Sequence, residues 1–308
     1  ARSLRSGRTG LIGLALPRLQ DAYFAELAAG IVGCAAVHGW TVLMEQTNGE
    51  TGRETEVLTG HRPAFVDGLI FSPISVSPQV LSAASPTIPI VLLGEHLQTA
   101  PRTRVGVDNV AAAREAVTHL IAGGRRLIAA LGVKSGSSAA TTQLRLQGYR
   151  DALAIAGITV PPEYAVPVRE LQRPDGAAAA HAALRLRPRP DALFCFNDLL
   201  ALGAMEALRR HGVDVPGDVA VAGFDDIEEG RHSTPGLTTV AVDLVVLAGA
   251  AVDSLVRRLD DPTAPDGDSM LVPHRLVVRG STVPPPTAGP ARQAPPATPT
   301  RLPSGSVK

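Results

Sequence analysis

Two stretches decide the fold. Residues 192–198 read Ala-Leu-Phe-Cys-Phe-Asn-Asp, and residues 219–226 read Val-Ala-Val-Ala-Gly-Phe-Asp-Asp. Each is an uninterrupted apolar run that stops abruptly at a polar pair. A strand with one wet face alternates apolar and polar residues; a short continuous run is the mark of a strand covered on both faces, as in a parallel sheet between helices. Working outward, the same pattern marks Gly10–Leu16, Thr41–Met44, Gly68–Phe71, Ile90–Leu93 and Leu127–Leu131. Helical spacing fills the gaps. Phe24, Leu27, Ile31 and Cys34 share one face, as do Leu146, Tyr149, Leu153 and Ala156, and Asp108-Asn109 is a cap before a helix ending near Leu120-Ile121. Strands and helices in regular alternation predict an α/β architecture, and 308 residues suggest two lobes.

Composition narrows the function. With 45% hydrophobic and 19% charged residues the chain can bury a core, which excludes wholesale disorder. Lys plus Arg and Asp plus Glu are both 29, so the formal net charge is zero and a uniformly basic nucleic-acid binder is excluded, though a local basic arm is not. The two cysteines, Cys34 and Cys195, lie in apolar runs and read as reduced packing residues rather than a disulfide framework. No uncharged apolar run is long enough to span a bilayer, and the first nine residues lack the apolar stretch of a secretion signal. Residues 284–308 hold eight prolines and no aromatic residue, and read as a disordered tail.

The familiar catalytic patterns fail. Gly132-Val133-Lys134-Ser135 lacks the Gly-Lys-Ser/Thr of a phosphate-binding loop, and no glycine-rich dinucleotide fingerprint follows the first strand. Zinc-protease, Cys-x-x-Cys and nucleophile-elbow signatures are absent from the sequence, and no nucleophile, base and orienting group come together, so no metal, cofactor or enzymatic activity is expected. His119 reads as a surface or packing residue, and Asp266-Gly267-Asp268 as a polar turn rather than a calcium loop.

Parallel sheets bind ligands at the carboxyl ends of their strands. There the sequence places Asn197-Asp198, Asp225-Asp226, the segment Thr141 to Arg145 after a Gly/Ser loop, and Tyr23-Phe24. Taken singly, each is explained as a cap or turn former. Together, carboxylate, amide and guanidinium groups at one sheet edge suit a small polyhydroxylated ligand held by charge-assisted hydrogen bonds. Arg145 reads as lying in the first turn of its helix, off the core stripe. There it opposes the helix dipole, so a ligand or a cleft carboxylate such as Asp225 must favour it.

Several segments in order resemble the LacI/GalR family of transcriptional repressors: Val66-Asp-Gly-Leu-Ile70; Val107-Asp-Asn109 with His119-Leu120; Leu144-Arg-Leu-Gln-Gly-Tyr149; Asn197-Asp198 with Ala201-Leu-Gly-Ala204; Val221-Ala-Gly-Phe-Asp-Asp226; and Pro235-Gly-Leu-Thr-Thr-Val240. The resemblance covers residues 1 to about 282. It implies a periplasmic-binding-protein-like sensor of type I, with two similar lobes of parallel sheet flanked by helices, an effector cleft between them, and three crossovers near residues 123, 239 and 266. The lobes would then be 10–122 plus 240–266 and 123–239 plus 267–283, preceded by a hinge-helix remnant at 1–9. It places Phe24, Thr141, Arg145, Asn197 and Asp225 against the effector, with Tyr23 beside them. Leu171 stands where an aromatic residue commonly stacks on the ligand, and Val242 stands for a frequent glutamine. Arg2, Ser3 and Leu4 resemble the end of the family's DNA hinge, with Leu4 as the minor-groove wedge, while the helix-turn-helix that would precede them lies outside these residues. The implied function is the sensing and dimerisation module of a cytoplasmic regulator, whose partners are a small effector (a sugar or sugar derivative), a second copy of the chain, and operator DNA through the missing helix-turn-helix. The alternative is the solute-binding protein of a sugar ABC importer, which shares the fold but needs a signal peptide and has no use for an Arg-rich hinge.

Overall fold

The structure, a computed structural model, describes residues 8–59, 65–83, 88–94, 102–134 and 140–283. The expected hinge residues Arg2, Ser3 and Leu4 and the proline-rich tail 284–308 lie outside the described residues. Two six-stranded sheets form the core. The first has the order β11-β5-β4-β3-β1-β2 and is parallel throughout: β1 Leu11–Leu16, β2 Thr41–Gln46, β3 Gly68–Phe71, β4 Ile90–Leu93, β5 Thr103–Val107 and β11 Ser269–Val272. The second has the order β12-β10-β9-β8-β6-β7: β6 Ile128–Val133, β7 Ala165–Pro167, β8 Ala192–Cys195, β9 Ala220–Phe224, β10 Thr238–Val242 and β12 His274–Val277. Only β12 runs antiparallel to its neighbour.

All seven apolar runs are strands. Every residue of β3, β4, β8 and β9 is buried, as continuous hydrophobicity requires. The exception is β2 at the edge of the first sheet, where Leu43 and Met44 are 45% and 52% exposed. The helices are α1 Ala22–Val37, α2 Thr51–Thr59, α3 Pro78–Ala83, α4 Asn109–Ala122, α5 Ala140–Ile155, α6 Arg173–Ala183, α7 Asp198–Arg210, α8 Glu228–Arg231 and α9 Leu244–Asp260. Five strands escape the sequence pattern. Arg104 and Gly106 interrupt β5, β7 has three residues, threonines open β10, and β11 and β12 lie on sheet edges and are largely exposed or half-buried.

All three crossovers differ from the expected positions. Helix α4 packs on α5, β9, β10 and β12, so it belongs to the second lobe and the chain crosses at Asp108 rather than near 123. Strand β10 stays in the second sheet through Val242 and α9 packs on α1, β3, β4 and β5, which moves the second crossing from 239 to Asp243. Strand β11 joins the first sheet and β12 the second, so the third crossing is Pro273 rather than 266. The lobes are therefore 8–107 with 244–272, and 109–242 with 274–283. The reason lies in the caps. The Asp108 carboxylate accepts from the Ala111 N–H at 2.9 Å and the Asp243 carboxylate from the Val246 N–H at 3.0 Å, so at two of the crossings a cap starts a helix of the lobe being entered.

Close helix packing in the second lobe depends on glycine. A Cβ at Gly148 would stand 2.3 Å from the Val110 carbonyl oxygen of α4, and one at Gly203 would stand 2.0 Å from the Arg173 carbonyl oxygen of α6. Glycine to alanine inside a helix ordinarily stabilises by up to about 1 kcal/mol. Here backbone must move, and Gly148→Ala and Gly203→Ala are each expected to destabilise by roughly 1–3 kcal/mol. Urea unfolding checks this, and unchanged or raised midpoints would contradict the packing described.

Candidate functional site

The carboxyl ends of β1, β6, β7, β8 and β9 face one gap between the lobes. From the first lobe comes the segment after β1, carrying Arg18 and Asp21; from the second comes the segment after β7, carrying Glu170 and Gln172. They meet across the gap: Gln172 Nε2 donates to Asp21 Oδ2 at 3.0 Å, and Arg18 lies 3.9 Å from Glu170, which also pairs with Lys134 at 3.5 Å. These contacts hold the lobes together on one side of the cleft. Burial raises the Asp21 carboxyl above its ordinary range, against the Gln172 hydrogen bond and Arg18, which lower it.

Arg145 is the centre of the second-lobe wall. Because α5 begins at Ala140, Arg145 sits in its second turn, not its first, and it is buried to 8% exposure. The dipole argument therefore weakens, and direct contacts hold the residue. Nε donates to Asn109 Oδ1 at 2.8 Å, Nη1 donates to the Phe196 carbonyl, and the guanidinium stacks 3.5 Å from the centre of the Phe224 ring. Nη2 lies 3.8 Å from Asp225 Oδ1.

Asp225 follows β9 with φ at 118°, a left-handed conformation costly for a residue with a Cβ, and its N–H donates to the Val240 carbonyl at 2.8 Å. Its carboxyl is pushed up to about 7: burial raises it most, Arg145 lowers it, and Asp21 across the gap raises it again. Asp226 does a different task, pairing with Arg279 at 2.6 Å and Arg231 at 3.3 Å. Asp198 is fully buried, accepting from the Thr239 hydroxyl at 2.6 Å and the Ile227 N–H at 3.0 Å, and burial with Asp225 nearby pushes its carboxyl well up.

The other sequence candidates divide. Asn197 is a cap: its Oδ1 accepts from the Leu200 N–H at 2.9 Å and its Nδ2 donates to the Leu171 carbonyl at 3.0 Å. That bond fixes the half-buried Leu171 segment beside the wall. Tyr23 and Phe24, in the first turn of α1, pack edge to face with centroids 5.1 Å apart and are half-buried, as is Thr141 in the first turn of α5. A polar cavity of about 310 Å³ lies at the crossovers, lined by Glu26, Asp225, Arg231, Val242, Pro273 and His274. Sequence reasoning missed Asp21, Glu170 and Gln172. Asp21 and the β7 pair follow strand ends, so the strand-end rule reaches them once the three-residue β7 is recognised.

The smaller readings can be placed too. Cys34 and Cys195 are both free, and burial pushes the Cys195 thiol up. His119 packs half-buried with a ring nitrogen 2.8 Å from the Thr282 hydroxyl. Asp266 holds its loop by accepting from Thr103 N–H at 2.8 Å and pairing with Arg258 at 2.9 Å. Among the described residues no helix is long and apolar enough to cross a membrane.

Comparison with known proteins gives consistent likenesses. Residues 117–282 match a family described as periplasmic binding protein-like domain. The chain is 31% identical over 288 residues to the HTH-type transcriptional regulator DegA of Bacillus subtilis, covering 92% of this chain and 84% of that protein. The structure of a LacI-family transcriptional regulator from Sanguibacter keddieii superposes with a TM-score of 0.80 at 41% identity, covering 90% of this chain and 99% of that one. A complex of the transcriptional regulator CelR with cellobiose superposes with a TM-score of 0.80 at 27% identity, covering 89% and 85%.

The raised Asp225 carboxyl has a consequence for stability. The folded chain keeps a proton on it up to about 7, whereas the unfolded chain releases it near 3.8. Between those values the native state binds more protons, so this group makes stability fall as pH rises through that window. Asp225→Asn removes the slope that this group contributes and is expected to stabilise the protein at pH 8 by roughly 1–4 kcal/mol relative to its effect at pH 4. Urea titrations of both proteins across pH 4–8 measure it. A variant whose pH profile parallels the parent's would place the Asp225 carboxyl back in its ordinary range.

Proposed function

Because the chain belongs to the LacI family of transcriptional regulators, we propose that it is the effector-sensing module of such a regulator, binding a small, neutral, hydroxyl-rich molecule (a sugar or sugar derivative) in the cleft between its lobes. One observation carries the reading. Arg145 and Asp225 are held side by side at the carboxyl ends of the second sheet, while Asp21, bonded to Gln172 of the second lobe, closes on them from the first. Hydroxyls can both donate to Asp21 and Asp225 and accept from Arg145, whereas an anionic ligand would meet two carboxylates. The cellobiose complex of CelR, a structural neighbour, supports the sugar class. Loss of ligand would free the two lobes, and the change in lobe closure would alter operator affinity. In this reading the protein is not an enzyme, works in the cytoplasm where its DNA is, and does not serve an importer, since the relatives are regulators of transcription.

We propose further that the module is a homodimer, as a palindromic operator demands of a two-fold reader. An exposed apolar face supports it. Leu43 and Met44 of β2 and Phe65, which is 66% exposed, surround a largely apolar cavity of about 250 Å³ on the first lobe. A second copy covering this face would bury surface that a monomer leaves in water.

Thermal-shift screening of sugars, polyols and nucleobases tests the ligand class, since a ligand of the native state raises the midpoint by mass action. For the ligand found, calorimetry on Arg145→Ala and Asp225→Ala is expected to show about 30- to 1000-fold weaker binding. Unchanged affinity in both folded variants would end the assignment. Light scattering is expected to give about 64 kDa, twice the 31.9 kDa chain, and Met44→Asp with Phe65→Asp to halve it. A parent protein that stays monomeric at high concentration, or a dimer indifferent to both changes, would remove this face from consideration.

A further inference from the structure

A third cavity lies at the far end of the first lobe. The cleft is at the carboxyl ends of the strands; this cavity is at the amino ends, where β5 and β11 begin. It has a volume of about 270 Å³ and is lined by Arg104, Arg257, Arg258, Ser254, Ser269 and Asp268, with Thr103 beneath. The chain as a whole is neutral, yet this corner is not. Arg102 and Arg258 share the single carboxylate of Asp266, at 3.3 and 2.9 Å. Arg257 is exposed on the last turn of α9 and has no acidic partner among the described residues. Arg104 faces a neutral group, its Nη2 donating to the Ser269 hydroxyl at 2.6 Å. Among the described residues that line the cavity, Arg104, Arg257 and Arg258 stand against the one carboxylate of Asp268.

Arg104 is also incompletely satisfied. Its Nε is shut off from water and has no acceptor, the one such buried side-chain atom among the described residues. A buried donor without an acceptor is costly, and in native proteins it commonly marks the place of a water or ion. Nε and Nη2 form one edge of the guanidinium, the edge that grips an oxyanion with two parallel hydrogen bonds. An oxyanion in the cavity that drew Arg104 outward would supply the missing acceptor. Ser269, whose oxygen already accepts from Arg104, still has its own proton to give to that anion.

We propose that this cavity binds a phosphate group, gripped by Arg104 and Arg257, with the Ser269 hydroxyl donating to it. The phosphate could be carried by a small phosphorylated molecule or by a nucleic-acid backbone; the same end of the lobe also carries Arg8, which pairs with Asp260 at 2.9 Å in the last turn of α9.

The test titrates inorganic phosphate into the full chain by calorimetry, with chloride at matched ionic strength as the reference. A parallel arm measures how binding of a random-sequence duplex varies with salt. Arg104→Gln and Arg257→Gln are compared with Arg185→Gln, an exposed arginine on the second lobe. If the source is a small molecule, phosphate binds saturably, one per chain, and each of the first two variants weakens it about tenfold or more while Arg185→Gln does not. If the source is the backbone, free phosphate binds poorly, but the salt slope of duplex binding falls by about one for each of the two arginines removed and not for Arg185. Equal behaviour of all variants in both arms, leaving an adventitious ion only, overturns the proposal. Unfolding midpoints in phosphate-free buffer control for folding, and should Arg104→Gln fail that control, Ser269→Ala takes its place in the phosphate arm, where it too is expected to weaken binding, while Arg257→Gln alone decides the duplex arm.

Discussion

A guanidinium charge buried under the floor of a cleft has to be answered on every side, and much of the second lobe is arranged around that need. Arg145 reaches from α5 to Asn109 at the start of α4, to the Phe196 carbonyl at the end of β8, and to Phe224 and Asp225 at the end of β9. One side chain thus ties two helices to two strand ends. The position of Asn109 follows from the Asp108 cap, which begins α4 as the chain enters the lobe. The strained backbone at Asp225 is held in turn by its N–H bond to Val240 of the neighbouring strand. Its Nη2 lies beside Asp225. These contacts fix the guanidinium in place, which is the preorganisation a tight small-molecule site needs.

How far the sequence could be read depends on which physical signal each element carries. Strands buried on both faces announce themselves: Gly68–Phe71 and Ile90–Leu93 have the bounds expected of them. Strands on the edges do not, because β11 and β12 face solvent and their residues carry no continuous apolar run. The lobe boundaries were misplaced for a related reason. Sequence order suggests that a helix packs beside the strand before it, but α4 and α9 each pack on the lobe that follows the crossing, and only tertiary contacts reveal this. At the site, Arg145 and Asp225 are found where the strand-end argument puts them. Asn197 shows the argument's limit, since the same position serves equally well as a helix cap, and here it does. Asp21 and Gln172 were out of reach because nothing in the sequence says which loops of the two lobes will face each other.

The two ends of the first lobe differ in electrostatic character. At the carboxyl ends of its strands Asp21 faces the cleft, where burial raises its carboxyl and that of Asp225 above their ordinary range. At the amino ends Arg104, Arg257 and Arg258 gather around a cavity. Equal numbers of acidic and basic residues over the whole chain thus leave a local cluster of arginines that net charge alone conceals.

The three crossings lie side by side. Val107 pairs with Val272 at the end of the first sheet, Val242 pairs with His274 at the start of the second pairing, and the Asp243 N–H reaches the Pro273 carbonyl at 3.5 Å. The lobes are thus joined by a ribbon three chains wide. Such a ribbon bends readily across its width but resists shear and twist, because those would tear the pairing on either side. Three adjacent crossings thus make bending about one axis the softest relative motion of the lobes, like a door on a strip of leather. Under the proposed sensing function, ligands of quite different shape would then be equivalent if they set the same angle.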